Sequence, residues 1–294
     1  MAEEVTPFGD LDRGAREIAV WLRSRPEADR PVLLVFEPGV EFWRAFLGCV
    51  YAGVVALPAP VPHDERSTAR VAGILRDAGG RLALTSAALR ATLGAGVRDF
   101  GVDQPILWAA TDDAALAGPD TWTVPDIASD AVAFLRYTFD SAGDPKGTPV
   151  THADVLYNAA TIAEAIRVTS ESVIVGWLPH LHDMGLVSGL LAFFAGASIV
   201  GMSPQAFLGR PARMLDAIST YRGTHVAAPN VTYDLIARRV TPAQLAGIDL
   251  STWEAALNGA EPVRRPTAER ITDLLAPAGF APTVLTDGVI ATRG

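Results

Sequence analysis

Apolar residues recur along the chain in two alternating patterns, one typical of amphipathic helices and one typical of short buried strands. Near the N-terminus, Leu11, Ala15 and Ile18 fall at helical spacing. Residues 31–36 instead form a continuous apolar run, which is too short for a helix and is typical of a buried strand. This alternation continues to the end of the chain and predicts an α/β fold with two mostly parallel sheets layered with helices.

The pattern predicts helices and strands in regular succession. The predicted helices are residues 9–24, 41–52, 69–77, 152–166, 185–196, 211–221, 230–239 and 267–277. The predicted strands are residues 31–36, 54–57, 82–85, 105–109, 131–135, 173–178, 198–202, 225–227 and 253–257, with a last strand at Val284. Residues 112–126 are polar and rich in Pro and Gly, which predicts a surface loop. We therefore expect two α/β subdomains, residues 1–126 and residues 127–294.

Composition narrows the classes of protein to which the chain can belong. Hydrophobic residues make up 49% of the sequence, enough for a sizeable core. A net charge of −9 argues against nucleic acid and against an anionic membrane surface as partners. Cys49 is the only cysteine, which excludes an internal disulfide. The acidic N-terminus has no apolar run behind it, and the apolar residues 43–58 are too interrupted to span a membrane, so we expect a cytoplasmic protein.

One loop concentrates the candidate chemistry. The apolar strand 131–135 leads into a segment of small residues that contains Pro145, Lys146 and Gly147, and a helix is predicted to open near Thr151. A strand, a Gly-containing loop and a helix can direct backbone N–H groups at an anion. Lys146 is the only lysine in the chain. The alternative interpretation is an ordinary strand–turn–helix connection with a solvated lysine.

This loop resembles the phosphate-binding signature of the adenylate-forming superfamily, Tyr-Thr-Ser-Gly-Ser-Thr-Gly-x-Pro-Lys-Gly. Three positions depart from it, because Phe139, Asp140 and Ala142 stand where Ser, Gly and Thr are expected, which removes two hydroxyl groups and adds a negative charge. The resemblance implies the fold of the superfamily's N-terminal domain, and it implies phosphate-binding roles for Thr138, Ser141, Gly143 and Lys146. The matching residues are Tyr137, Thr138, Ser141, Gly143, Pro145, Lys146 and Gly147.

A second segment, residues 176–186, follows a strand and opens a helix. Asp183 is suited to cap that helix, and the ordinary interpretation is a capped helix start with two surface histidines. The sequence from His182 onward also resembles the His-Asp-Met-Gly-Leu signature of the fatty acyl-AMP ligases, which implies that His182 borders the acyl and phosphate pockets. His180, His182 and Asp183 are therefore candidate catalytic residues together with Lys146. A metal ion there would need a third ligand, for which no residue has a supporting spacing.

Three further segments continue the same likeness in the family's order. Residues 202–211 and 228–235 resemble the walls of the acyl tunnel, although an ordinary buried wall would have the same composition. Residues 258–263 resemble the Gly-Ala-Glu-Pro motif that lies against adenine. The resemblance implies that adenine contacts Gly259, Ala260, Glu261 and Pro262. It implies substrate contacts for Phe207, Asn230, Tyr233 and Asp234.

Near the end of the chain the resemblance weakens. The family signature Tyr-Gly-Leu-Ala-Glu corresponds here to residues 283–287, so that the aromatic residue is missing and Asp287 replaces the Glu that holds Mg²⁺. Asp is one methylene shorter but still offers a hard carboxylate ligand, so Asp287 is the candidate Mg²⁺ ligand. The sequence ends at Gly294, and the family's β-subdomain and C-terminal lid domain, which would follow, are expected to be absent.

Three functions are compatible with these observations. The first is a fatty acyl-AMP-ligase-like enzyme that uses ATP and Mg²⁺ to activate an acyl or related carboxylate substrate, with a complementing chain that supplies missing parts. The second is a pseudoenzyme that binds an acyl group or an acyl-carrier protein without ATP chemistry. The third is an ATP-independent enzyme that uses the acyl pocket with His182, His180 and Asp183 as acid and base.

Overall fold

The structure is a computed structural model that describes residues 4–93, 105–112, 121–139, 144–259, 264–281 and, for the backbone alone, 285–287. The chain divides into two compact units, Met1–Asp154 and Val155–Gly294. Each unit contains one sheet with helices packed on it, which confirms the predicted α/β class.

Helices and strands alternate through both units. The helices are α1 Phe8–Arg23, α2 Val40–Ala52, α3 Glu65–Ala78, α4 Ala87–Leu93, α5 His152–Ile166, α6 Asp183–Ala195, α7 Pro204–Gly209, α8 Ala212–Tyr221, α9 Asn230–Arg239 and α10 Arg265–Leu275. The strands are β1 Val32–Val35, β2 Ala56–Ala59, β3 Leu82–Thr85, β4 Leu107–Ala110, β5 Val132–Phe139, β6 Pro145–Thr151, β7 Val173–Gly176, β8 Ser198–Gly201, β9 His225–Pro229, β10 Ala255–Gly259 and β11 Leu285–Asp287.

The sheet of the first unit has the strand order β4-β3-β1-β2-β5-β6. Neighbouring strands are parallel except for β5 and β6, which form an antiparallel hairpin. Helices cover both faces, so the apolar residues of β1 are buried without alternation. Leu33 packs with Ile74 of α3 on one face. On β5, the ring of Phe134 lies 5.7 Å from that of Phe46 in α2.

The sheet of the second unit has the order β11-β10-β9-β7-β8, and all of its described pairings are parallel. Successive residues of β7 face different helices. Ile174 packs with Leu191 of α6, whereas Val175 belongs to a larger core that includes Phe207 of α7 and Ile236 of α9. Two apolar layers therefore enclose this sheet and fix the position of its strand ends.

The boundary between the two units lies later in the chain than the one predicted near residue 127. The strands β5 and β6 follow the predicted boundary, but they pair with β2 and with each other and so complete the first sheet. The predicted phosphate loop consequently belongs to the first unit. The predicted loop at Pro145–Gly147 is also corrected, because these residues begin strand β6.

Candidate functional site

The described residues of the predicted phosphate loop lie on strands β5 and β6, which form an antiparallel hairpin. Tyr137 pairs with Gly147, and Thr138 pairs with Lys146. Directly opposite residues on antiparallel strands share one face of the sheet, so the exposed side chains of Thr138 and Lys146 lie side by side. Helix α5 begins at His152, as predicted, but only after strand β6, so that the loop does not run directly into a helix. Ser141 and Gly143 lie outside the described residues.

Helix α3 holds this hairpin through three contacts. The Tyr137 hydroxyl donates a hydrogen bond to the Asp77 carboxylate. The Arg70 guanidinium lies 4.9 Å from the centre of the Phe139 ring, a distance typical of a cation–π contact. Gly73 faces Pro145, and a Cβ at that glycine would lie 3.4 Å from the proline ring. The residues that flank the loop tip are thus positioned by one helix face.

Gly147 is required by the close approach of a ring. A Cβ at this position would lie 2.8 Å from Cζ of Tyr137, well inside normal contact distance. Burial and the hydrogen bond to Asp77 raise the pKa of Tyr137, so the ring stays neutral at physiological pH. The small residue that the signature has at this position therefore has a local structural reason, namely the space taken by the Tyr137 ring.

In the second unit, the other motif segments follow the carboxyl ends of parallel strands, which meet at one edge of a sheet. Gly259 at the end of β10 pairs with Pro229 at the end of β9. The backbone of Asp287 in β11 pairs with Asn258. The helix that carries Asn230 begins directly after β9. Ala260, Glu261 and Pro262 lie outside the described residues.

Two buried asparagine side chains connect strand β10 to the start of helix α9 at this edge. Asn258 donates from Nδ2 to Oδ1 of Asn230 at 3.3 Å, and the backbone N–H of Arg264 donates to the same oxygen at 3.2 Å. Asn258 is 1% exposed, and its Oδ1 has no hydrogen-bond partner among the described residues. A buried acceptor of this kind is costly unless a ligand or another group supplies a donor.

His182 caps helix α6. Its Nδ1 accepts a hydrogen bond from the backbone N–H of Met184 at 3.2 Å. The cap was predicted at Asp183, which is instead the first residue of the helix and is exposed. The imidazole accepts this bond because residue 182 has extended backbone geometry, the conformation that an N-cap requires. In the neutral ring the proton is therefore on Nε2.

The turn before α6 folds tightly over the first helical turn. A Cβ on Gly185 would lie 2.2 Å from the carbonyl oxygen of Pro179 and 2.8 Å from that of Leu178. His180, within this turn, is 5% exposed, and burial lowers its pKa to about 4. His180 is therefore neutral near pH 7, whereas His182 is only half-buried. Of the predicted acid/base residues, His182 and Asp183 are the ones that reach solvent.

The residues predicted to line the acyl tunnel are buried or paired with other side chains in the described structure. Phe207 is fully buried, and so is Tyr233, whose hydroxyl donates to the carbonyl oxygen of Leu257 at 2.8 Å. Asp234 is paired with Arg238 at 2.8 Å and with Arg270 at 3.1 Å. Asn230 is buried in the amide pair described above.

Trp177 was not predicted as a site residue, although it directly follows the carboxyl end of β7. Its ring stacks on that of Phe207, with centroids 4.5 Å apart, and its Nε1–H donates to Thr232 Oγ1 at 3.2 Å. Its position after the strand, next to the histidine segment, was the signal available in the sequence.

The sequence profile described as "AMP-binding enzyme" matches residues 3–288. The chain belongs to the AMP-binding enzyme family. It is 40% identical over 278 residues to the medium-chain-fatty-acid–[acyl-carrier-protein] ligase JamA of Moorena producens, covering 93% of this chain and 47% of JamA. It is 30% identical to the ligase TtuA of Teredinibacter turnerae, which has the same description, covering 93% of this chain and 49% of TtuA.

Solved structures agree with this assignment. A fatty acid AMP ligase from Legionella pneumophila has a TM-score of 0.88 at 33% identity, covering 97% of this chain and 49% of the ligase. A fatty acyl-adenylate ligase from L. pneumophila, in complex with acyl adenylate and pyrophosphate, has a TM-score of 0.86 at 32% identity, covering 97% of this chain and 50% of that ligase. The predicted family and fold are therefore confirmed. The chain spans about half the length of the curated relatives it matches. Within the described residues, no helix is both long and apolar enough to cross a membrane.

Proposed function

We propose that this chain supplies the acid- and nucleotide-binding part of an enzyme that activates a fatty acid, or a related carboxylic acid, as an acyl-adenylate. The observation that carries the proposal is the meeting of family motif segments at the carboxyl-end edge of the second sheet. His182 follows β7, Asn230 follows β9, Gly259 ends β10 and Asp287 ends β11. Ligands of open parallel sheets bind outside this edge.

In the proposed reaction, a carboxylate oxygen of the acid attacks the α-phosphorus of ATP and the bond to pyrophosphate breaks. Lys146 and Thr138, side by side on the hairpin, would hold phosphate oxygens. Oδ1 of buried Asn258, which has no hydrogen-bond partner among the described residues, lies next to Gly259 and fits a donor such as the amino group of adenine. Asp287 would hold Mg²⁺, which neutralises phosphate charge when bound.

The names of the relatives suggest the substrate and the acceptor. JamA and TtuA are described as ligases that join medium-chain fatty acids to an acyl-carrier protein. We extend this to the present chain as part of the proposal, with a medium-chain acid as substrate and an acyl-carrier protein as acceptor of the acyl group. A complementing polypeptide would supply any group that the chain lacks for this chemistry.

A second candidate function is acyl binding without ATP chemistry. The observation that favours it is the packing of Phe139, which occupies the position of a signature hydroxyl. Its half-buried ring lies under the Arg70 guanidinium and so contributes to the hairpin–α3 contact. Asp140 would add a negative charge near the phosphates of a nucleotide. Both changes predict weak binding of MgATP. The third function, ATP-independent catalysis, would depend on His182, because His180 is buried.

A direct test measures acid binding and acid activation separately. Calorimetry with saturated medium-chain and long-chain acids, without nucleotide, reports acyl binding. Exchange of labelled pyrophosphate into ATP, with mass spectrometry of acyl-AMP, reports activation. We expect acid binding and acid-dependent exchange, with Lys146→Ala reducing exchange without reducing acid binding. Acid binding without exchange, also after addition of the C-terminal half of a relative, would favour the second function. Failure to bind any acid would contradict both.

A further inference from the structure

Three segments of the second unit meet at a single indole ring. Trp177 follows β7, Phe207 is in α7 and Thr232 is in the first turn of α9. The planes of the Trp177 and Phe207 rings are 15° apart, a stacked arrangement, and the centroids are separated by 4.5 Å. The hydrogen bond from Nε1 to Thr232 Oγ1 fixes the rotation of the indole within that stack. The orientation of Trp177 is therefore determined from two sides.

Accessibility differs sharply among these three residues. Phe207 and Thr232 are fully buried, whereas Trp177 is only partly buried. Because Phe207 covers one face of the indole, the accessible part of Trp177 lies on the side away from it. In this arrangement, Trp177 is the accessible member of the cluster, and Phe207, for which the sequence resemblance implies a substrate contact, lies beneath it.

A second partly exposed apolar residue lies beside the indole. The backbone N–H of Met202 donates to the carbonyl oxygen of Gly176 at 3.0 Å, so Met202 follows β8 just as Trp177 follows β7. Both side chains pack against the large core of this unit. Both are partly exposed apolar residues at the sheet edge where the motif segments end. The flexible side chain of Met202 can adapt its shape to a ligand, whereas the indole of Trp177 is held in one orientation.

We propose that the accessible face of Trp177 contacts the acyl chain of the substrate and sets the chain length that the site accepts. This inference rests on the proposed function and names a specificity-determining residue for it. A side chain held by a ring stack and a hydrogen bond cannot move aside without losing both, so it limits chain length more strictly than a mobile side chain would. Thr232 and Phe207 are positioning residues, because they act through the indole.

The contact can be tested without catalysis. Bromine quenches indole fluorescence at close range. A series of acids with a terminal bromine and increasing chain length therefore reports the chain length at which the terminal bromine lies next to an indole. The chain has six tryptophans, and Trp253 gives a matched control in the same unit. Trp253 also packs on a phenylalanine ring, that of Phe280, in a tilted arrangement, and its Nε1–H donates to the carbonyl oxygen of Ala255, but it precedes the amino end of β10. We expect quenching that peaks at one chain length, persists in Trp253→Phe and is lost in Trp177→Phe.

Selectivity provides a second readout. Trp177→Ala should shift the preferred acid to a longer chain and change the affinity ratio of two neighbouring acids by about tenfold, whereas Trp253→Ala should leave that ratio unchanged. Thr232→Val, which removes the acceptor of the indole N–H, should broaden the quenching peak. Quenching that survives in Trp177→Phe would overturn the inference while leaving acid binding, and the proposed function, intact. If calorimetry detects no acid binding, the proposed function fails and the inference fails with it.

Discussion

The Tyr137 hydroxyl donates a hydrogen bond to the Asp77 carboxylate, and this contact joins strand β5 of the phosphate-loop hairpin to helix α3. The pair lies on the same side of the hairpin as the Arg70–Phe139 and Gly73–Pro145 contacts. The hairpin is thus attached to a helix of its own unit just before the loop tip. Its geometry therefore depends on α3, a helix that none of the motif residues belongs to.

We expect Tyr137→Phe to lower the free energy of unfolding by about 1 kcal/mol, because one hydrogen bond is lost while the ring is kept. Burial and the bond to Asp77 raise the pKa of Tyr137 above its ordinary value of 10.0. The stabilisation is therefore complete below pH 10 and is lost as the pH rises through the raised pKa. Urea titrations at neutral pH and above pH 10 measure both effects.

Asp77→Asn is the control for this pair, because it keeps a hydrogen-bond acceptor and removes only the charge. It should preserve most of the stability at neutral pH. A Tyr137→Phe variant as stable as the wild type at neutral pH would show that the contact does not anchor the hairpin.

Gly185→Ala should destabilise the second unit strongly. The added Cβ would overlap the carbonyl oxygens of Pro179 and Leu178, which are backbone atoms and cannot rotate away. Overpacking of this kind costs about 1–3 kcal/mol, and the turn that carries His180 and His182 must shift to relieve it. Gly201→Ala is the matched control, because a Cβ there has no described heavy atom within 4 Å. Equal denaturation midpoints for the two variants would contradict the prediction.

Most of the fold follows from local pattern, and the exceptions have identifiable causes. Residues 152–166 and 230–239 are helices with the predicted bounds. Helix α3 begins earlier than predicted, at Glu65, since Asp64 and Ser67 form a reciprocal capping box that the prediction overlooked. The short helix α7 was also missed, although Ser203 and Pro204 are a typical cap and first helical residue.

Strand β6 could not be predicted locally. Its sequence, Pro-Lys-Gly-Thr-Pro-Val-Thr, has two prolines and a glycine, residues with low strand propensity. It is extended because β5 offers a partner over its whole length, and an edge strand tolerates proline. Local sequence was also insufficient to predict which site residues are accessible. Motif order identified the segments around His182 and Asn258, but only packing distinguishes buried Phe207 and Tyr233 from accessible Trp177.

His180 should make the protein sensitive to mild acid. Burial lowers its pKa from 6.5 to about 4, so the unfolded chain takes up a proton that the folded chain does not. Stability is therefore complete above pH 6.5 and decreases as the pH falls toward 4, by on the order of 3 kcal/mol. We expect His180→Gln to remove this part of the pH dependence. Denaturation at both pH values measures it, with exposed His63→Gln as the control. An unchanged slope in His180→Gln would show that the imidazole is not the cause.

Substitutions can separate the capping role of His182 from its proposed role as a hydrogen-bond donor in acid activation. Its Nδ1 caps α6, so His182→Ala should cost about 1 kcal/mol of stability, whereas His182→Asn keeps a cap acceptor and should cost little. Because Nδ1 is occupied, the neutral ring presents its proton on Nε2. The ring is therefore suited to donate a hydrogen bond to a carboxylate or phosphate oxygen, and acting as a base would break the cap.

If this donor contributes to acid activation, both variants should lose pyrophosphate exchange by about 10²- to 10³-fold, the usual effect of removing one donor to a developing oxyanion. Thermal unfolding checks that His182→Asn remains folded, and calorimetry checks that it still binds acid. A stable His182→Asn variant with full exchange would leave the imidazole with the capping role alone.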